Sequence, residues 1–130
     1  MIEIQDALRK KESWAIGGGK GGIGKSLITG NIGITLARLK KKVMLVDADL
    51  GGANLHTTLG IGVPEMTLSD FLNRRVESIQ DVIIKTAIPN LSLISGAQDF
   101  LDAANPNFSQ KTRLLRHLET LDADYILLDL

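Results

Sequence analysis

The sequence has 130 residues, of which 44% are apolar and 23% charged, a composition that fits one soluble globular domain with a single core. Its 15 basic and 15 acidic residues cancel, which excludes the overall positive field that binds nucleic acid or anionic membranes across a whole surface. The sequence contains no cysteine, so disulfides and thiolate metal sites are excluded within it, and a cytoplasmic location is expected. Residues 1–13 alternate apolar and charged side chains, and no segment has the length of a secretory signal or a membrane span. We therefore expect neither export nor insertion into a membrane.

Short apolar runs alternate with helical patterns along the chain. The continuous runs at 14–16, 43–46, 91–94 and 125–128 predict strands that are buried on both faces. Helical spacing or capping signals predict helices at 25–41, 67–72, 76–85 and 110–121. In the first of these helices, four apolar residues share one face: Ile28, Ile32, Leu36 and Leu39. The alternation predicts a doubly wound, mostly parallel α/β sheet in a three-layer fold. Because a strand that should be central comes last, we interpret residues 1–13 as a leader and 14–130 as a partial domain.

The strongest motif lies between the first predicted strand and the first predicted helix. It satisfies the pattern G-x-x-x-x-G-K-[ST] and reads Gly19-Lys20-Gly21-Gly22-Ile23-Gly24-Lys25-Ser26, followed by Leu27. Glycines let successive backbone amides point at phosphate oxygens, and the amino end of the helix adds its unpaired donors and positive dipole end. Lys25 supplies a charge to the β- and γ-phosphates, and the Ser26 hydroxyl is placed to bind Mg²⁺. The motif therefore predicts ATP and Mg²⁺ as cofactors, with a glycine-rich turn that binds no ligand as the alternative.

Aspartates stand at the ends of two predicted strands, Asp47 and Asp49 after the second and Asp129 after the fourth. Mg²⁺ keeps several waters and takes few carboxylates, so aspartates at strand ends beside a phosphate loop are candidate ligands or partners of its water shell. The alternative is that Asp47 and Asp49 only cap the turn after their strand.

The additional lysine at position 20 is not required by the general phosphate-loop pattern. The segment Gly18–Ser26 resembles the deviant Walker A motif of the MinD/ParA family, which also includes nitrogenase iron protein, Mrp-type iron–sulfur carriers and flagellar-number regulators of the FleN/FlhG type. The segment Asp47–Leu55 resembles the switch I of that family, and Tyr125–Asp129 resembles its Walker B strand. The resemblance covers about residues 14–130. The amino-terminal Asp6-Ala7-Leu8-Arg9, however, does not match the D-Q-A-x-x-L-R pattern that the flagellar regulators often carry.

The resemblance implies roles for the site residues. Three of them would be catalytic, with the last one orienting or activating the attacking water: Lys20, Lys25 and Asp49. The nucleotide would contact the loop residues Gly19 to Leu27, and Asn54 would contact phosphate or the partner subunit. Mg²⁺ would be held, directly or through water, by Ser26, Asp47 and Asp129. In the family the lysine that matches Lys20 reaches across a dimer to the partner's nucleotide, and the Walker B strand lies between the phosphate-loop strand and the strand that ends at Asp47.

The function implied by this resemblance is that of an ATP-hydrolysing dimeric switch in positioning, partitioning or regulation, with a protein, membrane or DNA partner that the sequence does not identify. We expect the intact protein to be active and these residues alone to be inactive. One alternative is an ATP-dependent biosynthetic enzyme similar to the cobyrinic acid diamide or dethiobiotin synthetases, which usually lack the lysine at position 20. Another is an Mrp-like iron–sulfur carrier, whose cysteine pair would lie beyond Leu130.

Other polar residues carry weaker signals. His56 could touch phosphate but is interpreted as an ordinary turn histidine, and His117 is placed on a helix surface without a role. Arg74 and Arg75 are interpreted as a solvated loop rather than a DNA or membrane contact. The lysine run 40–42 is interpreted as a solvated helix end that complements the helix dipole.

Overall fold

The computed structural model describes residues 11–17, 23–48, 55–96 and 106–129. The described elements, in chain order, are β1 (Glu12–Ile16), α1 (Ile23–Arg38), β2 (Val43–Asp47), α2 (Leu55–Thr58), α3 (Leu68–Leu72), a 3₁₀ helix (Ile79–Val82), β3 (Ile83–Lys85), β4 (Leu91–Ile94), α4 (Phe108–Leu118) and β5 (Tyr125–Asp129). All four predicted strands are present, and so are three of the four predicted helices. The prediction that 14–16 is a buried strand is wrong as to burial, because Trp14 and Ala15 of β1 are exposed and Ile16 is half-buried.

The described strands form one sheet in the order β1-β5-β2-β4-β3. The pairs β1–β5, β5–β2 and β2–β4 are parallel, and β3 joins β4 antiparallel at the sheet edge. The fourth predicted strand therefore lies between the first and the second, as the family resemblance implied. In the pairing register Asp129 of β5 stands opposite Ile16 of β1 and Asp47 of β2, so three strands end level at the carboxyl edge of the sheet.

Both faces of the sheet are covered, which confirms the three-layer prediction. Alternate residues of β2 enter different cores, because successive side chains of a strand point to opposite faces. Met44 and Val46 pack with the residues of α3, the 3₁₀ helix and α4, whereas Val43 and Leu45 pack with Leu55 and the residues of α1. A strand in this position is buried on both sides, which explains why its sequence is continuously apolar.

The small side chains of α1 are its most deeply buried ones, whereas the larger Ile32 and Leu36 are only partly buried against the core. Ser26, Thr29 and Gly33 are buried, but Ile28 and Leu39 are exposed although the sequence places them on an apolar face. The helix lies so close to β2 that a methyl group added at Gly33 would come within 2.8 Å of Leu45 Cδ2. Close helix-to-sheet packing thus selects for small residues at these positions.

The predicted helix at 76–85 is wrong. A single 3₁₀ turn, Ile79–Val82, follows Ser78, whose hydroxyl caps it by accepting a hydrogen bond from Gln80 N, and the chain then extends into β3. Ile83 and Ile84 are β-branched and pair with Ile94 and Leu93 of β4. The segment is extended because it can form backbone hydrogen bonds to β4 and because β-branched residues favour extended backbone. These two effects outweigh the helical spacing of its apolar residues.

Two helices end on a basic residue in the left-handed backbone region, where glycine is the usual choice. Lys40 follows α1 with φ of 65°, and Arg74 follows α3 with φ of 58°. In both turns the next residue donates a backbone hydrogen bond to an earlier carbonyl, Lys41 N to Leu36 O and Arg75 N to Asp70 O. These are the hydrogen bonds of a Schellman-type helix end.

Lys11 connects the start of β1 to the end of α4. Its ammonium donates to the carbonyls of Leu118, Glu119 and Leu121, at 2.6 Å in the case of Glu119. A cation at this position contacts carbonyls at and just beyond the end of the helix and complements the negative end of the helix dipole.

Candidate functional site

The carboxyl edge of the sheet brings the amino end of α1 next to the end of β5. Ser26 Oγ donates a hydrogen bond to Asp129 Oδ2 at 3.0 Å, and both residues are buried. Lys25 Nζ lies 3.3 Å from Asp129 Oδ1 in an ion pair. Residues 103 and 104 positions apart are therefore joined at one carboxylate, because the parallel β1–β5 pairing places the two segments at the same edge.

The Asp129 carboxylate is almost fully withdrawn from water, with 1% of its side chain exposed. Its Oδ1 atom receives no hydrogen bond within the described part of the chain, although the ammonium of Lys25 is close. A buried carboxylate oxygen with a nearby cation but an unfilled acceptor position can accept a further donor or a metal-bound water.

Asp47 ends the neighbouring strand and is equally buried. Its Oδ2 accepts a hydrogen bond from the backbone N–H of Leu55 at 3.1 Å, which fixes the start of α2 relative to the strand end. The backbone N–H of Ala48 in turn donates to Asp129 O at 2.9 Å. Asp47 therefore does satisfy a backbone donor, as the turn-capping alternative requires, while it stands opposite Asp129 in the sheet.

These residues fit an anion and a hard divalent cation. The serine hydroxyl and the two carboxylates supply oxygen atoms of the kind that Mg²⁺ prefers. The space beside Gly24 is open, since an added Cβ would meet no atom of the described residues within 4 Å, so a ligand could approach the backbone there. No group of three or more His, Asp or Glu side chains suited to a metal occurs among the described residues.

Several predicted site residues lie outside the described ranges: Gly19, Lys20, Gly21, Gly22, Asp49 and Asn54. Of the others, Ile23 begins α1, and Leu27 is an exposed residue in its second turn. The structure thus brings together Lys25, Ser26 and Asp129, with Asp47 level with them. The roles of all these residues remain predictions.

His56 is a buried residue of α2, so the interpretation as an ordinary turn histidine is wrong. The residue is 6% exposed, its Nε2 atom lies 3.3 Å from Thr57 Oγ1, and its Nδ1 atom has no hydrogen-bond partner in the described structure. Burial lowers the pKa of His56, so the ring is neutral at pH 7. The burial follows from the packing of α2 against α1, where a methyl group added at Gly30 would lie 3.2 Å from Thr58 Cγ2. Short-range sequence patterns carry no signal for such a contact.

The histidine and arginines of the opposite layer have structural contacts. His117 packs edge-on against Phe71 with a centroid separation of 5.1 Å, so it is not simply a surface residue. Arg75 forms an ion pair of 3.0 Å with Asp70. Arg74 is exposed, in agreement with the predicted loop.

A family model described as an AAA domain matches residues 12–130 of the chain. The chain belongs to this family, as a P-loop ATPase of the MinD/ParA type. Its curated relatives include the septum site-determining protein MinD of Synechocystis, which is 39% identical over 113 residues that cover 85% of this chain and 41% of the relative. The antiactivator FleN of Pseudomonas aeruginosa is 46% identical over 70 residues, which cover 54% of this chain and 24% of FleN.

Solved structures of this type show the same fold. The septum site-determining protein MinD of Pyrococcus horikoshii, in complex with Mg-ADP, is 31% identical with a TM-score of 0.82, over 92% of this chain and 49% of that chain. This MinD-type chain therefore spans about half, or less, of the length of the relatives that it matches. Among the described helices, none is both long enough and apolar enough to cross a membrane.

Proposed function

We propose that the full-length protein binds ATP with Mg²⁺ and hydrolyses it to ADP and phosphate as a nucleotide-dependent dimeric switch. The observation that carries the proposal is the convergence of Lys25 and Ser26, from the amino end of α1, on the buried carboxylate of Asp129. A cation, a hydroxyl and a carboxylate at a helix amino end that follows a glycine-rich segment are the parts that triphosphate and Mg²⁺ binding require. The family relationship supports the same reading.

Each residue has a defined task in this proposal. Ser26, Asp47 and Asp129 hold Mg²⁺ directly or through water, and the bound cation neutralises charge on the phosphates. Lys25 leaves Asp129 and contacts the β- and γ-phosphates. The backbone amides of residues 19–26, together with Ile23, Leu27 and Asn54, complete the nucleotide contacts.

Hydrolysis proceeds by in-line attack of water on the γ-phosphorus. The new bond forms to the water oxygen, and the bond from the γ-phosphorus to the β–γ bridging oxygen breaks, so ADP and phosphate are released. Asp49 orients the water, and Lys20 and Lys25 stabilise the charge that develops on the phosphoryl group and the leaving oxygen. Since the chain spans only part of its relatives, we expect these residues alone not to turn over ATP.

The switch depends on Lys20, which would reach the nucleotide of a second copy. ATP then favours the dimer and hydrolysis releases it, so turnover times the binding of a protein, membrane or DNA partner in the cytoplasm. This role of Lys20 is inferred from the family lysine at the matching position, which reaches the partner's nucleotide.

The test is Lys20→Ala in the full-length protein, with Lys40→Ala as a control that also removes one lysine charge. The Lys20 variant should bind ATP nearly as the parent does, because Lys25 and Ser26 are intact, but should stay monomeric with ATP in sedimentation velocity and should lose steady-state phosphate release. If it dimerises with ATP as the parent does, the dimeric switch is wrong. If the parent releases phosphate only when a carboxylate substrate is added, the biosynthetic alternative replaces it.

A further inference from the structure

Three arginines form a positive cluster on the face of the sheet that carries α3 and α4. We define the arginine cluster as Arg74, in the turn after α3, with Arg113 and Arg116 of α4. Arg74 and Arg116 are exposed, and Arg113 is half-buried between the two helices. The cluster is separate from the residues assigned to nucleotide and Mg²⁺.

The central arginine is rigidly placed. Arg113 Nη1 donates to Phe71 O at 2.8 Å and Nη2 to Glu77 O at 3.3 Å, and its guanidinium stacks 4.0 Å above the centroid of the Phe71 ring. Gln110 Nε2 donates to Leu72 O at 3.0 Å and adds a second link between α4 and the end of α3. A guanidinium that is held in this way is organised before any partner arrives.

No carboxylate of the described residues lies within ion-pair distance of the cluster. Among the described residues, none of the three arginines forms an ion pair, and the partners of Arg113 are neutral carbonyl oxygens. Burial lowers the pKa of Arg113, and the nearby positive charges of Arg74 and Arg116 lower it further. The three charges therefore repel one another, and an anion would relieve that repulsion.

A surface depression of about 340 Å³ lies beside the cluster. Its lining contains no acidic residue and consists of Leu72, Asn73, Arg74, Asn107, Ser109, Gln110 and Arg113. Guanidinium donors and amide and hydroxyl groups in a concave surface suit a carboxylate, which accepts two parallel hydrogen bonds from one arginine.

The position of Arg74 is costly for any residue with a side chain. Its φ of 58° falls in the left-handed region, where glycine is favoured at a helix end. Replacement by glycine should therefore remove the charge without loss of fold stability.

We propose that the arginine cluster and its depression form a docking surface for an acidic segment of a partner protein. The concave shape and the fixed guanidinium favour side-chain carboxylates of a peptide over a flat lipid surface. The balanced charge of the chain, 15 basic and 15 acidic residues, supplies no extended field for nucleic acid. Exposed Phe108, the first residue of α4, adds an aromatic contact of the kind that protein interfaces favour.

The test uses the full-length protein and a fluorescein-labelled peptide of repeated Glu-Glu-Leu units, followed by fluorescence anisotropy at low salt. The double variant Arg74→Gly/Arg116→Gln should bind the peptide about tenfold more weakly, since each exposed charge contributes about threefold. Its control is Lys40→Gly/Lys41→Gln, which also removes two positive charges and also places glycine at a residue with positive φ after a helix, here α1. The control should bind as the parent does, and a Gln-Gln-Leu peptide should not bind to any of them.

The proposal is overturned if the parent does not bind the acidic peptide or if both double variants lose affinity equally, which would indicate general charge attraction. It is also overturned if phosphatidylglycerol vesicles or single-stranded DNA bind more tightly than the peptide with the same dependence on Arg74 and Arg116. Thermal unfolding checks that the variants are folded. If the double variant is not, Arg116→Gln alone must weaken peptide binding by about threefold.

Discussion

Two lysine–aspartate ion pairs stand at opposite edges of the sheet. The pair with the shorter distance is the one whose loss should cost less. At the carboxyl edge Lys25 Nζ lies 3.3 Å from Asp129, and the side chains are 12% and 1% exposed. Near the amino edge Lys42 Nζ lies 2.7 Å from Asp122, but these side chains are 53% and 86% exposed. Water screens the second pair and can replace either partner, whereas the first pair has little access to water. Burial, more than distance, decides what the loss of a partner costs.

The largest difference between the two pairs should appear in nucleotide binding. Lys25→Ala should weaken ATP affinity to the point that binding is lost, because each charge-assisted bond to the β- and γ-phosphates contributes roughly 1.5 to 3 kcal/mol. Lys42→Ala should leave the affinity unchanged. Isothermal titration of both variants of the full-length protein with Mg-ATP is the measurement. Equal ATP affinities of the two variants would show that the phosphate loop does not bind the nucleotide as proposed.

The free energy of unfolding without nucleotide sharpens the comparison within the buried pair. Lys25→Ala leaves the Asp129 carboxylate without its nearby cation and should cost about 3 kcal/mol. Asp129→Ala should cost less, since the longer, more exposed lysine can turn its ammonium towards water. Urea denaturation of the two variants gives the order. A larger loss for Asp129→Ala would show that the carboxylate organises the site even without a ligand.

His56 offers a buried polar group at the same edge without a charged partner in the described structure. Its pKa is lowered below the ordinary value of 6.5, so the unfolded chain takes up the proton first as the pH falls. The contribution of neutral His56 to stability is therefore fully present above about pH 6.5 and is lost as the pH falls towards the folded-state pKa. In urea titrations at several pH values, His56→Asn should show a smaller loss between pH 7 and pH 5 than the parent. If the free energy of unfolding falls equally with pH in the variant and the parent, His56 is protonated in the folded protein without a cost in stability.

The smallest effect is expected at the exposed pair. Asp122→Ala should change the free energy of unfolding by less than about 1 kcal/mol, and added salt should reduce the difference further. Urea denaturation at low and high salt measures both. A loss as large as that of Lys25→Ala would contradict the view that burial decides the strength of these pairs.

Four of the five described strands were predictable from their continuous apolar runs, and the family resemblance supplied the place of β5 between β1 and β2. The helix at 76–85 was predicted wrongly because its apolar spacing is compatible with a helix. What makes the segment a strand is its pairing with β4, and a local sequence pattern does not reveal that pairing. The exposure of Ile28 on α1 was missed for a related reason, since the closeness of α1 to β2 is a property of the packed layers.

The sequence was sufficient to predict which residues form the site, but not which of them contact one another. Lys25, Ser26 and Asp129 were singled out by the motif and the resemblance, but the direct contacts among them depend on the pairing of β1 with β5. The burial of His56 and the contacts of Arg113 arise between elements and have no signature in sequence spacing.

The link from Lys11 to the end of α4 and the pairing of β1 with β5 also bear on synthesis of the protein by the ribosome. Glu12 of β1 stands opposite Tyr125 of β5, so the first described strand cannot find its neighbour until more than a hundred further residues have been translated. At ribosomal speeds this delay is on the order of ten seconds. During that time Trp14, which later meets Tyr125 at a ring separation of 5.4 Å, has no native aromatic partner. Nascent chains of this protein therefore have an interval in which a chaperone can bind the emerging first strand before its fold closes.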